Sequence, residues 1–234
     1  VQVNARTGLT FASALRSILR QDPDVILVGE IRDAETANIA VQAALTGHLV
    51  LSTLHTIDAA SAIARLDDLG VDRYKVAASL KGVIAQRLLR RLCESCREHD
   101  DVVLGPALGR WLPPEVIRWR EKGCAACGRT GFRGRIAVVE SMVSTPEIER
   151  AIASGSATDT IADAARAGGM VRLWESGIER VKDGSTSIAE VGRVLDMPLP
   201  PATEALVRRA RESLPAPVGL RLAASLDDFE LVEP

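Results

Sequence analysis

The sequence has few aromatic residues and almost no net charge. Phe, Trp and Tyr together make up 3% of its 234 residues, and 29 Lys+Arg nearly balance 31 Asp+Glu. Proteins that bind single-stranded nucleic acid stack the bases on aromatic side chains, and nucleic-acid binders in general are strongly basic. The composition disfavours both classes, so nucleic acid is not expected to be a partner of the whole chain.

Long apolar runs are also missing. No run approaches the roughly 18 residues that cross a bilayer, whereas the hydrophobic content of 47% is too high for a disordered protein. Residues 1–6 do not follow the order of a secretory signal, and the chain does not start with Met. We expect a folded domain whose sequence begins inside a longer protein.

The first ninety residues alternate between helical and strand patterns. Apolar residues at helical spacing predict helices over 10–21, 34–46, 58–70 and 72–92. Uninterrupted apolar runs over 25–28 and 49–51 predict strands that are buried on both faces. This order of elements indicates an α/β fold with a parallel sheet covered by helices on both sides.

Polar residues follow both predicted strands. Gly29 and Glu30 come directly after the first strand, and Thr53 and His55 come after the second. Ligands of parallel sheets bind beyond the carboxyl ends of the strands, and a carboxylate there can act on a water molecule. The alternative for Glu30 is an ion pair with Arg32, and the local pattern does not decide between the two.

Two stretches carry a family resemblance. Residues 19–33 (LRQDPDVILVGEIRD) and 46–56 (TGHLVLSTLHT) closely resemble the Walker B and histidine boxes of the secretion ATPase superfamily. That superfamily includes type II secretion ATPases and the type IV pilus assembly and retraction ATPases. The resemblance extends from residue 1 to about 194. It implies a RecA-like P-loop NTPase core that uses ATP and Mg²⁺.

The resemblance also implies an assembly and a set of site residues. Such enzymes work as ring-shaped homo-hexamers on the cytoplasmic face of the inner membrane, where they act on a platform protein. Glu30 matches the glutamate that orients or activates the attacking water. His48 and His55 match the histidine box of the family, and of the two His55 is the better candidate for sensing the γ-phosphate. Gly29 stands where many P-loop enzymes have an aspartate, so contact with Mg²⁺ would be indirect. The resemblance thus assigns catalysis to Glu30, His55 and His48 and nucleotide binding to Gly29, Thr53 and Arg32.

One motif of the family does not occur in the chain. Phosphate binding by a P-loop needs Gly-x-x-x-x-Gly-Lys-[Ser/Thr], and the sequence contains no such segment. The chain is therefore expected to correspond to the C-terminal half of the enzyme, cut inside the ATPase core, and to have no measurable ATPase activity alone. The cut is expected to expose an apolar edge of the sheet. The alternative is a non-catalytic, zinc-containing remnant that serves as a regulatory, platform-docking or nucleic-acid-binding module.

Four cysteines form two Cys-x-x-Cys pairs, Cys93 with Cys96 and Cys124 with Cys127. Two such pairs can complete a tetrahedral zinc site, and the site would be structural because protein ligands fill every position. A redox pair and four free thiols are the less favoured alternatives. The resemblance agrees, since a tetracysteine zinc element is typical of secretion and pilus assembly ATPases and usually absent from retraction ATPases. The surrounding segment, 87–135, is locally basic.

These patterns divide the chain into four parts. We expect a partial core over 1–92, a zinc element over 93–132, the rest of the core with a C-terminal helical subdomain over 133–196, and a Pro-rich tail over 197–234. A strand is predicted from residue 133 and helices over 145–153, 158–167, 173–183 and 187–194. Arg133 and Arg135 on that strand could reach nucleotide, a neighbouring subunit or only solvent.

Overall fold

The computed structural model describes residues 9–198. Its first helix, α1 (Phe11–Ile18), begins at Thr10, whose side chain accepts a hydrogen bond from the backbone N–H of Ser13. A 3₁₀ turn over Leu19–Gln21 continues it, and Asp22 in the left-handed region (φ 53°) ends it. The predicted helix over 10–21 is confirmed.

A parallel strand pair lies at the centre of the N-terminal part. Strand β1 (Val25–Val28) pairs with β2 (Leu49–Ser52), and helix α2 (Ala34–Leu45) connects them. Asp33 caps α2 by accepting a hydrogen bond from Thr36 N. Gly47 adopts φ 103° after the helix, a conformation that glycine adopts without steric cost. The predicted β-α-β order is confirmed.

The strands are not buried on both faces as predicted. Ile26 and Val28 are buried, whereas the alternate residue Leu27 is 74% exposed. Side chains of a strand point alternately to opposite faces, so one face of this pair packs into the core and the other is open among the described residues. The open face consists of Val25, Leu27, Leu49 and Leu51.

The predicted helix over 72–92 is wrong in its second half. Helix α3 (Ser61–Asp68) is followed by a short α4 (Arg73–Ser79), and strand β3 (Gly82–Leu92) takes the remainder. The buried Ala85 and Leu89 are four residues apart, a spacing that suits a helix face as well as one face of a strand. Antiparallel pairing with β6 (Phe132–Val143) decides for the strand.

Residues 93–131 form the connection between β3 and β6. They contain helix α5 (Pro106–Gly109), a 3₁₀ turn over Ala125–Cys127 and a small antiparallel pair of β4 (Glu98–His99) with β5 (Trp119–Arg120). The predicted strand from residue 133 is confirmed, and it begins one residue earlier.

Four helices complete the described part, close to the predicted bounds: α6 (Pro146–Ala153), α7 (Thr158–Ala167), α8 (Leu173–Lys182) and α9 (Ile188–Val194). The buried carboxylate of Glu190 joins α9 to β3, because it accepts hydrogen bonds from the backbone and guanidinium of Arg90. No helix within residues 9–198 is long and apolar enough to cross a membrane. The predicted tail lies, apart from its first two residues, outside the described residues.

Candidate functional site

The loops that leave β1 and β2 are joined directly after the strands end. Thr53 Oγ1 donates a 2.7 Å hydrogen bond to the carbonyl of Gly29. Ile31 N donates in return to the carbonyl of Thr53 at 3.1 Å. The parallel register, in which Val28 lies beside Ser52, places these residues next to each other. The carboxyl ends of the two strands therefore lie side by side at one edge of the sheet. We call the residues that follow them, 29–32 and 53–55, the site edge.

Glu30 lies at the centre of this edge and contacts two cationic or titratable groups. Its Oε2 atom accepts a 2.6 Å hydrogen bond from Nε of Arg32 and lies 3.3 Å from Nε2 of His55. Oε1 accepts no hydrogen bond from any residue that the structure describes. The Glu30 side chain is 23% exposed, whereas that of His55 is 81% exposed. Glu30 is thus held through one oxygen by two neighbouring side chains.

The charge state of Glu30 follows from these contacts. The hydrogen bond from Arg32 is the main cause that lowers the pKa of Glu30 below its usual value; burial opposes this effect, and His55 adds a smaller lowering contribution. An ionised carboxylate with an open oxygen can accept a hydrogen bond or a proton from a water molecule. The ion pair with Arg32, which the sequence left as an alternative, is present together with the contact to His55, and a catalytic role for Glu30 stays a prediction.

His48 lies at the opposite end of β2 from His55. Its Nδ1 atom is 3.0 Å from the carbonyl of Ala43 and 3.2 Å from Oγ1 of Thr46, at the C-terminal end of α2. The structure therefore brings Glu30, Arg32 and His55 together and places His48 at a helix end. A catalytic part for His48 stays a prediction.

Two residues that the sequence did not suggest contact the segment after His55. Arg87 on β3 donates to the carbonyls of Thr56 and Ile57, and Glu140 on β6 accepts from Ala59 N. Arg87 was hidden in a region predicted as helix. For Glu140, the available signal was a lone carboxylate after the apolar run 136–139, within a predicted strand.

The four cysteines meet at the base of the β3–β6 pair. Their sulfur atoms all lie within 4.8 Å of one another. The Sγ–Sγ distances are 4.0 Å for Cys93–Cys124 and 3.8 Å for both Cys96–Cys127 and Cys124–Cys127. Four sulfurs bound to one Zn²⁺ at about 2.3 Å in a tetrahedron are separated by about 3.8 Å. The donor set and its spacing therefore fit a zinc ion.

Backbone amides support the negative charge that such a site needs. Cys127 Sγ accepts 3.2 Å hydrogen bonds from the backbone N–H groups of Cys124 and Gly131. The bond from Cys124 is the main cause that lowers the pKa of Cys127 to about 6, whereas burial raises the pKa of Cys96 to about 12. The surroundings thus favour a thiolate at Cys127, and thiolates are the form that binds metal.

Ion pairs take up much of the positive charge around the cysteines. Glu98 pairs with both Arg120 and Lys122, and its pKa is lowered, mainly by the hydrogen bond from Lys122. Further pairs within or from this segment are Arg91–Glu94, Arg118–Asp100 and Arg90–Glu190. Arg133 and Arg135 are exposed on β6. Arg90, Arg91, Arg118, Arg120 and Lys122 are thus in ion pairs, whereas the segment as a whole stays basic.

The family described as "Type II/IV secretion system protein" matches residues 1–193. The type II secretion system protein HxcR of Pseudomonas aeruginosa is 50% identical over 194 residues, which are 83% of this chain and 38% of that protein. The type II secretion system protein E of Klebsiella pneumoniae is 48% identical over 198 residues, 85% of this chain and 40% of its own length. The type IV pilus assembly ATPase PilB of Thermus thermophilus is 47% identical over 204 residues, a match that covers 81% of this chain and 22% of that protein. The chain thus spans well under half of each relative.

Solved structures agree with this match. A crystal structure of the pilus retraction motor PilT with bound ADP superposes with a TM-score of 0.57 at 27% identity, and the match covers 84% of this chain and 46% of that one. The ATPase DotB of Legionella pneumophila gives a TM-score of 0.55 at 23% identity, covering 79% and 42%. The α/β fold is therefore shared with these ATPases.

Proposed function

Because the chain belongs to the type II/IV secretion system protein family, we propose that it is the C-terminal part of a homo-hexameric motor that hydrolyses ATP. The motor powers type II protein secretion or type IV pilus assembly. The observation that carries the proposal is the Glu30–His55 pair at the carboxyl ends of two parallel strands. Ligands of parallel sheets bind at this edge.

Glu30 acts on the attacking water in this proposal. Its pKa is lowered, chiefly by Arg32, so the carboxylate is ionised at neutral pH and accepts a hydrogen bond from water at Oε1. Arg32 keeps the carboxylate in one orientation through Oε2. Positioning the nucleophile and stabilising charge supply most of the catalysis in phosphoryl transfer. Both contributions fit an ion pair whose second oxygen accepts no hydrogen bond from a described residue.

In this proposal the exposed imidazole of His55 contacts the γ-phosphate. Because His55 also contacts Glu30, binding of the γ-phosphate changes the surroundings of that carboxylate. Thr53 and Gly29 bind nucleotide from the joined strand ends, and Mg²⁺, when bound with ATP, offsets the charge of the phosphates. Because residue 29 is a glycine, it offers Mg²⁺ no carboxylate. The protein therefore contacts the ion only indirectly at this position in the proposal. His48, which lies at the other end of β2, is the third residue to which the proposal assigns a part in catalysis.

The sequence contains no P-loop to hold the phosphates. We therefore propose that the 234-residue chain alone does not turn over ATP and that a P-loop segment completes the site. The tetracysteine element holds one structural Zn²⁺. The motor acts on the cytoplasmic face of the inner membrane against a platform protein, as the resemblance implies.

A chimera tests this proposal. Residues 1–193 replace the matching segment of the Klebsiella pneumoniae relative, which is 48% identical to this chain. The chimera is expected to release phosphate from ATP in the presence of Mg²⁺, and its Glu30→Gln form is expected to be slower by about 10²–10⁴-fold, the usual contribution of a general base. Glu147→Gln is the matched control, because Glu147 is an exposed glutamate on α6 whose ion-pair partner among the described residues is Arg150 of the same helix.

Two results would contradict the proposal. If the Glu30→Gln chimera kept the rate of the parent chimera, Glu30 would not act on water. If the 234-residue chain alone hydrolysed ATP in a Mg²⁺-dependent reaction, its proposed dependence on an added P-loop segment would be wrong.

A further inference from the structure

The β3–β6 pair presents two charged side chains to the loop that carries His55. Arg87 Nη2 donates to the carbonyls of Thr56 and Ile57 at 3.1 and 3.0 Å. Glu140 Oε1 accepts a 2.9 Å hydrogen bond from Ala59 N. The two side chains share one face of the pair, because Arg87 lies opposite Val138, two residues from Glu140. The loop backbone is therefore bonded by groups of opposite charge from adjacent strands.

Glu140 is a rigid anchor for this contact. Its residue is only 4% exposed, and its second oxygen accepts a 3.1 Å hydrogen bond from Leu173 N, the first residue of α8. A buried carboxylate is costly unless hydrogen bonds compensate for the lost water. The N–H groups at the start of a helix suit a negative charge. Both oxygens are bonded to backbone, so the carboxylate has little freedom to move.

The loop is bonded on both sides of His55. On the amino side, Thr53 is joined to Gly29 and Ile31. On the carboxyl side, the bonds from Arg87 and Glu140 hold residues 56–59. The imidazole itself is mostly exposed, so packing contributes little to its position. The hydrogen bonds on either side of His55 therefore fix the backbone position from which the ring reaches Glu30.

We infer that Arg87 and Glu140 are positioning residues that hold His55 against Glu30. This inference rests on the proposed role of His55 at the γ-phosphate. Neither residue touches the site edge itself, and both act through the backbone of 56–59. Loss of the Arg87 guanidinium releases two carbonyls, and the loop then carries His55 away from the carboxylate.

Nuclear magnetic resonance of the full 234-residue chain without nucleotide tests the inference. The readout is the nuclear Overhauser cross-peak between the ring protons of His55 and the side-chain protons of Glu30, assigned with a His55→Gln sample. We expect this cross-peak in the unmodified chain and its loss in Arg87→Ala and Glu140→Gln. Arg87→Lys keeps one donor and is expected to restore part of its intensity.

The matched control is Arg91→Ala, which removes a guanidinium from the same strand. Arg91 pairs with Glu94, and among the described residues the hydrogen bonds from β3 to the loop come from Arg87. The cross-peak between His55 and Glu30 is expected to keep its intensity in Arg91→Ala. Thermal unfolding of each variant separates local release from loss of the fold. If Glu140→Gln unfolds the chain, the result for Arg87→Ala, a substitution at a half-buried position, is the test that remains.

A cross-peak of unchanged intensity in Arg87→Ala would overturn the inference, and so would its absence from the unmodified chain. A loss of equal size in Arg91→Ala would also overturn it, since the effect would then not depend on the loop contacts. No nucleotide takes part in this measurement. The inference can therefore fail while the ATPase chimera is active, and the chimera can fail while the cross-peak behaves as expected.

Discussion

Nε2 of His55 lies 3.3 Å from Oε2 of Glu30, and the same oxygen accepts the hydrogen bond of Arg32. One carboxylate oxygen thus serves two partners that come from different loops. Arg32 follows β1, the strand that also leads to Glu30, whereas His55 follows β2. The contact with His55 therefore depends on the pairing of the strands, and the contact with Arg32 depends on local chain geometry.

The two partners are expected to affect the titration of Glu30 unequally. Arg32 is the main cause of the lowered pKa, and His55 is a smaller one. Arg32→Ala should therefore raise the pKa of Glu30 more than His55→Gln does. A pH titration of the side-chain carboxyl carbon by ¹³C nuclear magnetic resonance measures both shifts. A larger shift in His55→Gln would contradict the assigned order of the two contacts.

Zinc should bind to the four cysteines with a stoichiometry of one ion per chain. The spacing of their sulfur atoms fits tetrahedral coordination. Cys93→Ser should weaken zinc binding by more than about 100-fold, because even groups that only support a metal ligand contribute about 10–100-fold. Competition with a chromogenic chelator measures the affinity, and elemental analysis gives the stoichiometry.

Ser95→Ala is the control for that measurement, because Ser95 lies in the same turn as Cys93 and Cys96 and offers no sulfur. Its zinc affinity should equal that of the unmodified chain. Chelation should lower the unfolding temperature of the unmodified chain by more than that of Cys93→Ser. Equal zinc affinity in Cys93→Ser and the unmodified chain would rule out a site built from these thiols.

Glu190 should make the stability of the fold sensitive to acid. Burial raises the pKa of Glu190, but hydrogen bonds from Arg193 and Arg90 outweigh it and lower the pKa to about 2. The folded pKa lies below the ordinary value of 4.5. The stabilisation is therefore present above pH 4.5 and is lost as the pH falls towards 2. Urea unfolding between pH 6 and pH 2 follows this loss.

Glu190→Gln should lower the free energy of unfolding by about 1.5–3 kcal/mol at neutral pH, the usual worth of hydrogen bonds to a charged group. The difference from the unmodified chain should shrink as the pH falls towards 2. Glu179→Gln is the control, because Glu179 is exposed and its ion-pair partner among the described residues is Lys182 of the same helix. A difference for Glu190→Gln that did not change with pH would contradict this account.

The open face of β1 and β2 should make the chain self-associate. Leu27 lies beside Leu51, and Val25 lies beside Leu49, so four exposed apolar side chains are contiguous. Contiguous apolar patches favour association. Leu27→Lys should reduce the mean mass at high protein concentration, measured by light scattering after gel filtration. Tyr74→Lys replaces an equally exposed side chain outside this face, and a similar reduction there would contradict the prediction.

The local sequence was sufficient for much of the site. Capping residues and apolar runs predicted α1, α2, β1 and β2. The parallel order then placed Glu30 and His55 at the same sheet edge. The ion pair with Arg32 was foreseen as an alternative, and the structure shows that it accompanies the His55 contact.

Long-range pairing accounts for what the sequence did not predict. Strand β3 was predicted as a helix because Val83, Ile84, Leu88 and Leu92 follow a helical spacing, but Ile84 and Leu88 are exposed in the strand. The partner strand β6 lies beyond residues 93–131. The contacts of Arg87 and Glu140 exist only once these strands pair. The exposure of Leu27 depends in the same way on which elements cover the sheet, and spacing along one strand carries no information about that.

The cysteines at the base of β3 and β6 also bear on the order in which the chain folds. Pairing of these strands requires closure of the loop over 93–131, and the entropy cost of closing a loop delays contacts between distant residues. A metal ion bound by Cys93, Cys96, Cys124 and Cys127 would hold the two strand ends together and so reduce that entropy cost. Pairing would then extend from the cysteine end towards Gly82 and Val143. Arg87 and Glu140 lie midway along the pair, so we expect the loop of His55 to become ordered only after the strand ends have met.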